Sequence, residues 1–110
     1  MRQMSNIESA WVGAMIEGEG SVTECKSGNG QVYPRLVVYN TEVETISTIL
    51  RLTGGGAVYY DGRNNQTHLK PCWRWCLTGT KKVVEVLEQI QPYLSGKQDE
   101  AKRLLDTYAT

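Results

Sequence analysis

WVGAMIEGEGS, running from Trp11 to Ser21, reads as an apolar helix crowded with small residues that stops at two carboxylates held among glycines. Ser5 and Glu8 ahead of it have the S-x-x-E spacing of a capping box, which predicts a helix start. At 100° per residue Trp11, Val12, Met15 and Ile16 sweep one broad side, while Ala10, Gly13 and Ala14 lie together on the other. A helix apolar nearly all round is expected to be buried nearly all round. Gly13 costs ~1 kcal/mol against Ala in a helix interior. Its presence predicts a close helix–helix contact on the small-residue side. Glu17 and Glu19 then fall at the carboxyl end, where the macrodipole disfavours negative charge. That is a poor place for carboxylates unless something positive binds there.

The chain of 110 residues predicts a single domain over 1–110, and its 40% hydrophobic content can build a modest core. Mean hydropathy is −0.41 and no apolar run approaches the ~20 residues of a membrane span, which argues against a membrane partner. The N-terminus, MRQMSNIESA, lacks the apolar core of a signal peptide. Three cysteines, an odd count without close metal-type pairing, fit reduced thiols in an intracellular protein. Twelve basic and twelve acidic residues give net zero charge, which does not favour nucleic acid. Either charge is segregated onto one face or DNA is the wrong partner.

Four helical patterns alternate with two hairpins. A helix over 6–17 leads to a strand at 20–26, the turn tetrad SGNG (27–30) and a strand at 31–39 in which Pro34 implies an edge position or a bulge. Thr41 and Glu44 give a second capping box, with Val43, Ile46, Ile49 and Leu50 as a helical face, ended by Gly54, Gly55 and Gly56. AVYY begins a third strand, and DGRNNQTH (61–68) is a long polar connection. The fourth strand, 69–78, alternates Trp73, Trp75 and Leu77 against Cys72, Arg74 and Cys76. A third helix from Thr80 carries Val83, Leu87 and Ile90, and a last one carries Ala101, Leu104, Leu105 and Tyr108. Two hairpins that each bury one face under helices make an α+β layer with one open sheet face.

The nine residues VGAMIEGEG, Val12 to Gly20, resemble the LAGLIDADG homing-endonuclease motif. Gly13-Ala14 inverts the family's usual Ala-Gly, and Glu17 stands where Asp is usual. The element order matches that family's αββαββα core with a C-terminal helix, its antiparallel sheet covered by helices on one face. VVYNTEVETISTILRLTGGG resembles the family's second-helix region, and IQPYLSGKQDEAKRLL the segment after its third helix, so the resemblance covers residues 5–108. The resemblance implies a site-specific double-strand DNA endonuclease of intron or intein mobility, working by metal-dependent phosphodiester hydrolysis and leaving short 3′ overhangs. It places the chain in a bacterial or phage cytoplasm or an organelle.

The motif occurs once. Single-motif members of the family form homodimers through this helix, and pairing its small-residue side (Ala10, Gly13, Ala14, with Glu17 at its end) across a two-fold axis would bury it. The alternative is that this side packs on the chain's own sheet. Dimerisation would bring two copies of Glu19 together, a costly repulsion unless Mg²⁺ binds. By resemblance Glu19 is the catalytic metal ligand, the Gly18 carbonyl a second ligand, Lys97 the basic helper and Asn40, or Thr41, the polar one. The other readings are a solvated loop charge for Lys97 and a helix cap for Asn40.

The open sheet face should present donors and acceptors to base edges in the major groove of double-stranded DNA. Candidates are Thr23, Ser27, Asn29, Gln31, Tyr33 and Arg35 on the first hairpin. On the second they are Arg63, Asn64, Asn65, Gln66, His68, Lys70 and Arg74. Lys26, Arg35, Arg63, Lys70 and Arg74 are expected on that face, with Glu42, Glu44, Glu85 and Glu88 behind it. Cys25, His68, Cys72 and Cys76 make a poor zinc set because no second close pair accompanies Cys-x₃-Cys. Two rival functions remain: a non-catalytic nucleic-acid-binding protein of the same fold, either an intron maturase or a transcription regulator, and a small interaction module with an accidental motif.

Overall fold

The capping box forms. In the computed structural model, which describes residues 1–61 and 71–109, Ser5 Oγ accepts the Glu8 amide at 3.1 Å and Glu8 Oε1 accepts the Ser5 amide at 2.9 Å. Helix α1 follows over Asn6–Glu19, two residues beyond the expected end, and passes directly into strand β1 (Gly20–Lys26). Strand β2 (Val32–Asn40), helix α2 (Val43–Thr53), strands β3 (Ala57–Asp61) and β4 (Cys72–Leu77), and helices α3 (Thr80–Ile90) and α4 (Gln98–Tyr108) complete the chain, with a short 3₁₀ turn at 91–93. The sheet is antiparallel throughout, in the order β1-β2-β4-β3.

The strand alternation sets the two faces. Val22, Leu36, Val38, Trp75 and Leu77 point to one side and are buried there against Val12 and Ile16 of α1, Ile46 and Ile49 of α2, and Val83, Val86, Leu87 and Ile90 of α3. Trp73 packs against this core, as its alternation with Trp75 predicts. Helix α4 adds Ala101 and Leu104 from outside α3. Its Arg103 and Tyr108 reach back to Glu24 of β1, at 2.6 and 2.5 Å, and hold the helix to the sheet edge. Gly54 caps α2 with φ +79°, the left-handed conformation that favours glycine.

Two local expectations are corrected, and a third, an edge position or a bulge at Pro34, resolves to the edge. Pro34 causes no bulge: β1 and β2 pair without a break from Gly20↔Val38 to Lys26↔Val32. The edge half of that expectation holds locally, because β4 pairs with β2 only over Leu36–Asn40. Pro34 therefore lies on a stretch bordered by one strand, where a missing N–H costs nothing. The Thr41–Glu44 capping box does not form. Glu42 occupies the cap position without a side-chain bond, and the Asn40 carboxamide oxygen accepts the Glu42 amide at 2.8 Å. Gly13 does not face outward. A Cβ there would lie 3.3 Å from Tyr93 Cβ and 3.6 Å from the Ile90 carbonyl, so its small size serves the contact of α1 with α3 and the turn after it.

Candidate active site and nucleic-acid interface

Helix α1 buries Ser9, Val12, Gly13 and Ile16 and leaves the opposite face uncovered. That face carries Ile7, which is 83% exposed, together with exposed Ala14 and Gly18. A Cβ on Gly18 would meet nothing within 4 Å. Among the small residues of the small-residue side, then, Gly13 is inward, Ala10 is half-buried and Ala14 is outward.

At the carboxyl end of α1 the two acids have separate environments. Glu17 turns toward the turn between α3 and α4, where its Oε1 accepts the amides of Ser95 at 2.7 Å and Lys97 at 3.1 Å. The Lys97 ammonium donates to the Glu17 carbonyl at 2.6 Å. α1 has no basic residue in its own last turn, so a lysine eighty positions away supplies the positive charge that its carboxyl end favours. Glu19 is exposed, and its Oε2 accepts from Asn40 Nδ2 at 2.7 Å. With its oxygen held by the Glu42 amide and its nitrogen by Glu19, Asn40 is fixed at both ends. Asn40, rather than Thr41, is the residue bonded to Glu19.

The Ser95 and Lys97 amides, and after them the Lys97 ammonium, hold the Glu17 carboxyl below the usual range near 4.5. A carboxyl with a lowered folded-state pKa adds stability above its unfolded pKa and loses it as pH falls through the folded value. Glu8, Glu24, Glu85 and Glu100 are lowered too, so the chain should lose stability on acidification below about 4.5. Glu17→Gln keeps an oxygen for the two amides but cannot titrate. Its urea-unfolding free energy should fall less steeply from pH 5 to pH 3 than that of the unaltered chain. Parallel curves would mean that the contact is too solvated to matter.

The uncovered sheet face carries Ser21, Thr23 and Cys25 of β1, Tyr33, Arg35, Val37 and Tyr39 of β2, Tyr59 and Asp61 of β3, and Cys72, Arg74 and Cys76 of β4. Thr23 stands opposite Arg35, and Arg74 is flanked by Tyr39 and Tyr59, with its guanidinium 4.7 Å from the Tyr59 ring centre. Among the described residues, Thr23 Oγ1, Arg35 Nε and Arg74 Nε are buried without a hydrogen-bond partner. Ser27 Oγ contacts Asn29 Oδ1 and lies 3.1 Å from the Gln31 carbonyl, so this trio also shapes the hairpin turn. Lys26 is corrected: it has the parity of Val22 and Glu24, on the helix-covered side, although it is exposed at the strand end. Arg63, Asn64, Asn65, Gln66, His68 and Lys70 lie outside the described residues. Glu42, Glu44, Glu85 and Glu88 belong to the helical layer.

By sequence the chain matches no family model and no curated protein. By structure it matches the homing endonuclease I-CvuI, in complex with its target in the presence of calcium, at TM-score 0.80 and 20% identity, over 94% of this chain and 67% of that one. The LAGLIDADG meganuclease I-AabMI bound to uncleaved DNA matches at 0.74 and 10% identity, over 92% of this chain and 35% of that one. The chain has the LAGLIDADG homing-endonuclease fold. The homing endonuclease I-TnaI shares it at TM-score 0.67 and 20% identity, covering 92% of this chain and 71% of that one. In this chain the motif helix ends beside the open sheet face, because Glu19 is bonded to Asn40, next in sequence to Tyr39 of that face.

At the carboxyl end of α1 one chain offers the exposed Glu19 carboxylate beside the Gly18 carbonyl, one of the last carbonyls of the helix, which have no amide four residues on within it. These are hard oxygen donors of the kind Mg²⁺ takes with several waters. Among the described residues no group of three His, Cys, Asp or Glu side chains could hold a metal. The residues therefore fit an ion held in part by water and by substrate phosphates, not an all-protein cage. Among the same residues, no helix is long and apolar enough to cross a membrane.

Proposed function

We propose that the chain is one subunit of a homodimeric, Mg²⁺-dependent, site-specific DNA endonuclease that hydrolyses phosphodiesters and leaves short 3′ overhangs. The observation that carries it is the exposed Glu19 carboxylate, fixed by Asn40 at the helix end beside a sheet face with two arginines whose Nε atoms have no hydrogen-bond partner among the described residues. I-CvuI, which shares the fold, has been crystallised on DNA in the presence of Mg²⁺ and of Ca²⁺. Glu19 and the Gly18 carbonyl would hold the cation, which when bound activates water and stabilises the leaving oxygen. Asn40 orients Glu19, and Lys97 adds positive charge at the same helix end. The open face binds duplex DNA in its major groove.

Dimerisation through α1 is supported by its apolar uncovered face, centred on Ile7, Ala14 and Gly18. Sedimentation equilibrium at micromolar concentration should give about twice 12.3 kDa. Ala14→Arg should shift the mass toward one chain, because the charged arm would hold the two helices apart without disturbing the core. The function itself is tested by incubating the protein with a duplex that spans the uninterrupted form of its gene neighbourhood, with and without Mg²⁺. Double-strand cleavage only with Mg²⁺ is the expected result. Tight, selective binding without cleavage at any Mg²⁺ concentration would sink the endonuclease and favour the maturase or regulator reading.

A further inference from the structure

A native fold rarely leaves a buried donor unpaired, and each one that it does leave calls for an explanation. Among the described residues the buried side-chain polar atoms without partners are Thr23 Oγ1, Arg35 Nε and Arg74 Nε, and all three residues lie on the uncovered sheet face. Neither arginine forms an ion pair with a described residue. Arg74 is steadied by the Tyr59 ring, a stacking that suits the flat guanidinium and would not suit a lysine. Both sit on central strands, β2 and β4, with β1 and β3 outside them. In a sheet laid into a groove, central strands face the groove floor and edge strands face the phosphates.

We infer that Arg35 and Arg74 each read one guanine per half-site of the target, about four base pairs apart, with the Arg74 guanine on the side of the cut. The bidentate fork of arginine matches the O6 and N7 acceptors of guanine in the major groove. Arg74 pairs with Tyr39, four positions along β2 from Arg35. At ~3.3 Å per residue the two lie ~13 Å apart along the strands, which corresponds to about four steps of ~3.4 Å in duplex DNA. Arg74 is the inner reader because Tyr39 adjoins Asn40, which holds Glu19. This inference rests on the DNA-binding reading above and extends it to base identity.

A duplex library with a randomised central stretch, retained on the purified protein with Ca²⁺ in place of Mg²⁺ and then sequenced, tests it. The unaltered chain should enrich two guanines per half-site at that spacing. Arg74→Ala should lose the inner preference about 5- to 150-fold and keep the outer one, and Arg35→Ala should do the reverse. Arg74→Lys keeps the charge and much of the stem, so it guards against a folding defect in the alanine variant. An ammonium can still donate to guanine but lacks the planar fork, so this variant should lose part of the preference. If the variants weaken binding to every sequence equally and leave the base profile unchanged, the arginines contact phosphates and the inference is overturned. Enrichment of a sequence without that guanine pair overturns it too. If the unaltered chain enriches no sequence at all, the failure lies with the site-specific DNA reading itself.

Discussion

Glu19→Gln should abolish DNA cleavage while leaving fold and DNA binding nearly unchanged. Glu19 is exposed, and its described hydrogen bond is the one from Asn40 Nδ2 at 2.7 Å. A glutamine oxygen can still accept that bond. The substitution also removes a negative charge from the carboxyl end of α1, which should stabilise the helix by ~0.3–1 kcal/mol at low salt. Thermal unfolding should therefore be unchanged or slightly later. The rate is another matter. Removing one hydrogen-bond donor aimed at developing charge already costs ~10²–10³-fold in well-studied hydrolases. Glutamine at 19 loses the charge proposed to hold the cation, and the loss should be on the order of a thousandfold or more. The comparison needs single-turnover cleavage at matched Mg²⁺ and salt, with binding measured in Ca²⁺. Cleavage near the original rate would place the active site elsewhere. Loss of binding along with cleavage would make Glu19 structural.

What was legible in the sequence was what adjacent residues determine among themselves. Ser5 and Glu8 are three apart, and their box forms as read. The Trp73–Trp75–Leu77 alternation lies on the core side as read. The misreadings are of a different kind. Helical periodicity gives relative angles but no origin, so it grouped Gly13 with Ala14. Only the arrival of Ile90 and Tyr93, almost eighty residues later, determines which of the two faces inward. The same distance hides the partners of Glu17, whose contacts with Ser95 and Lys97 have no local signature. At Thr41 two local options competed, and the Asn40 carboxamide took the Glu42 amide. The side of Lys26 does follow from the sequence, since it is four positions from Val22 and a two-residue period puts both on one side.

The net charge of zero looked unfavourable to a DNA-binding surface, but a sum has no geometry. Arg35 and Arg74 lie on the uncovered face, while Glu42, Glu44, Glu85 and Glu88 lie in the helical layer. A face of this kind needs described neighbours that form no ion pair with its arginines, and that property can be seen only after the strands are in register.

Gly20→Ala should destabilise the fold more than any other single-methyl addition to the motif. Gly20 is the last motif residue, where α1 gives way to β1 with no intervening loop. Its backbone is extended, at φ −128°, so conformation does not demand glycine. Space does. A Cβ would lie 2.5 Å from the Val37 carbonyl, 3.0 Å from Ile16 Cα and 3.1 Å from the Ile16 carbonyl. All three are backbone atoms of packed elements and cannot swing aside as a flexible side-chain end can. The methyl must push β1 off β2 or lift the end of α1, at a cost of about 3 kcal/mol, the upper end of ordinary overpacking. Either shift also moves Glu19 away from Asn40, so any protein that still folds should cleave poorly. Gly18→Ala is the control, two residues away. Its Cβ meets nothing within 4 Å, and alanine at that helical position should stabilise the chain by a few tenths to about 1 kcal/mol. Urea unfolding of the two variants, run at low protein concentration so that any dimer contributes little, should move their midpoints in opposite directions. Equal midpoints would mean that the helix-to-strand junction relaxes freely, and that Glu19 is not held in place by close packing around Gly20.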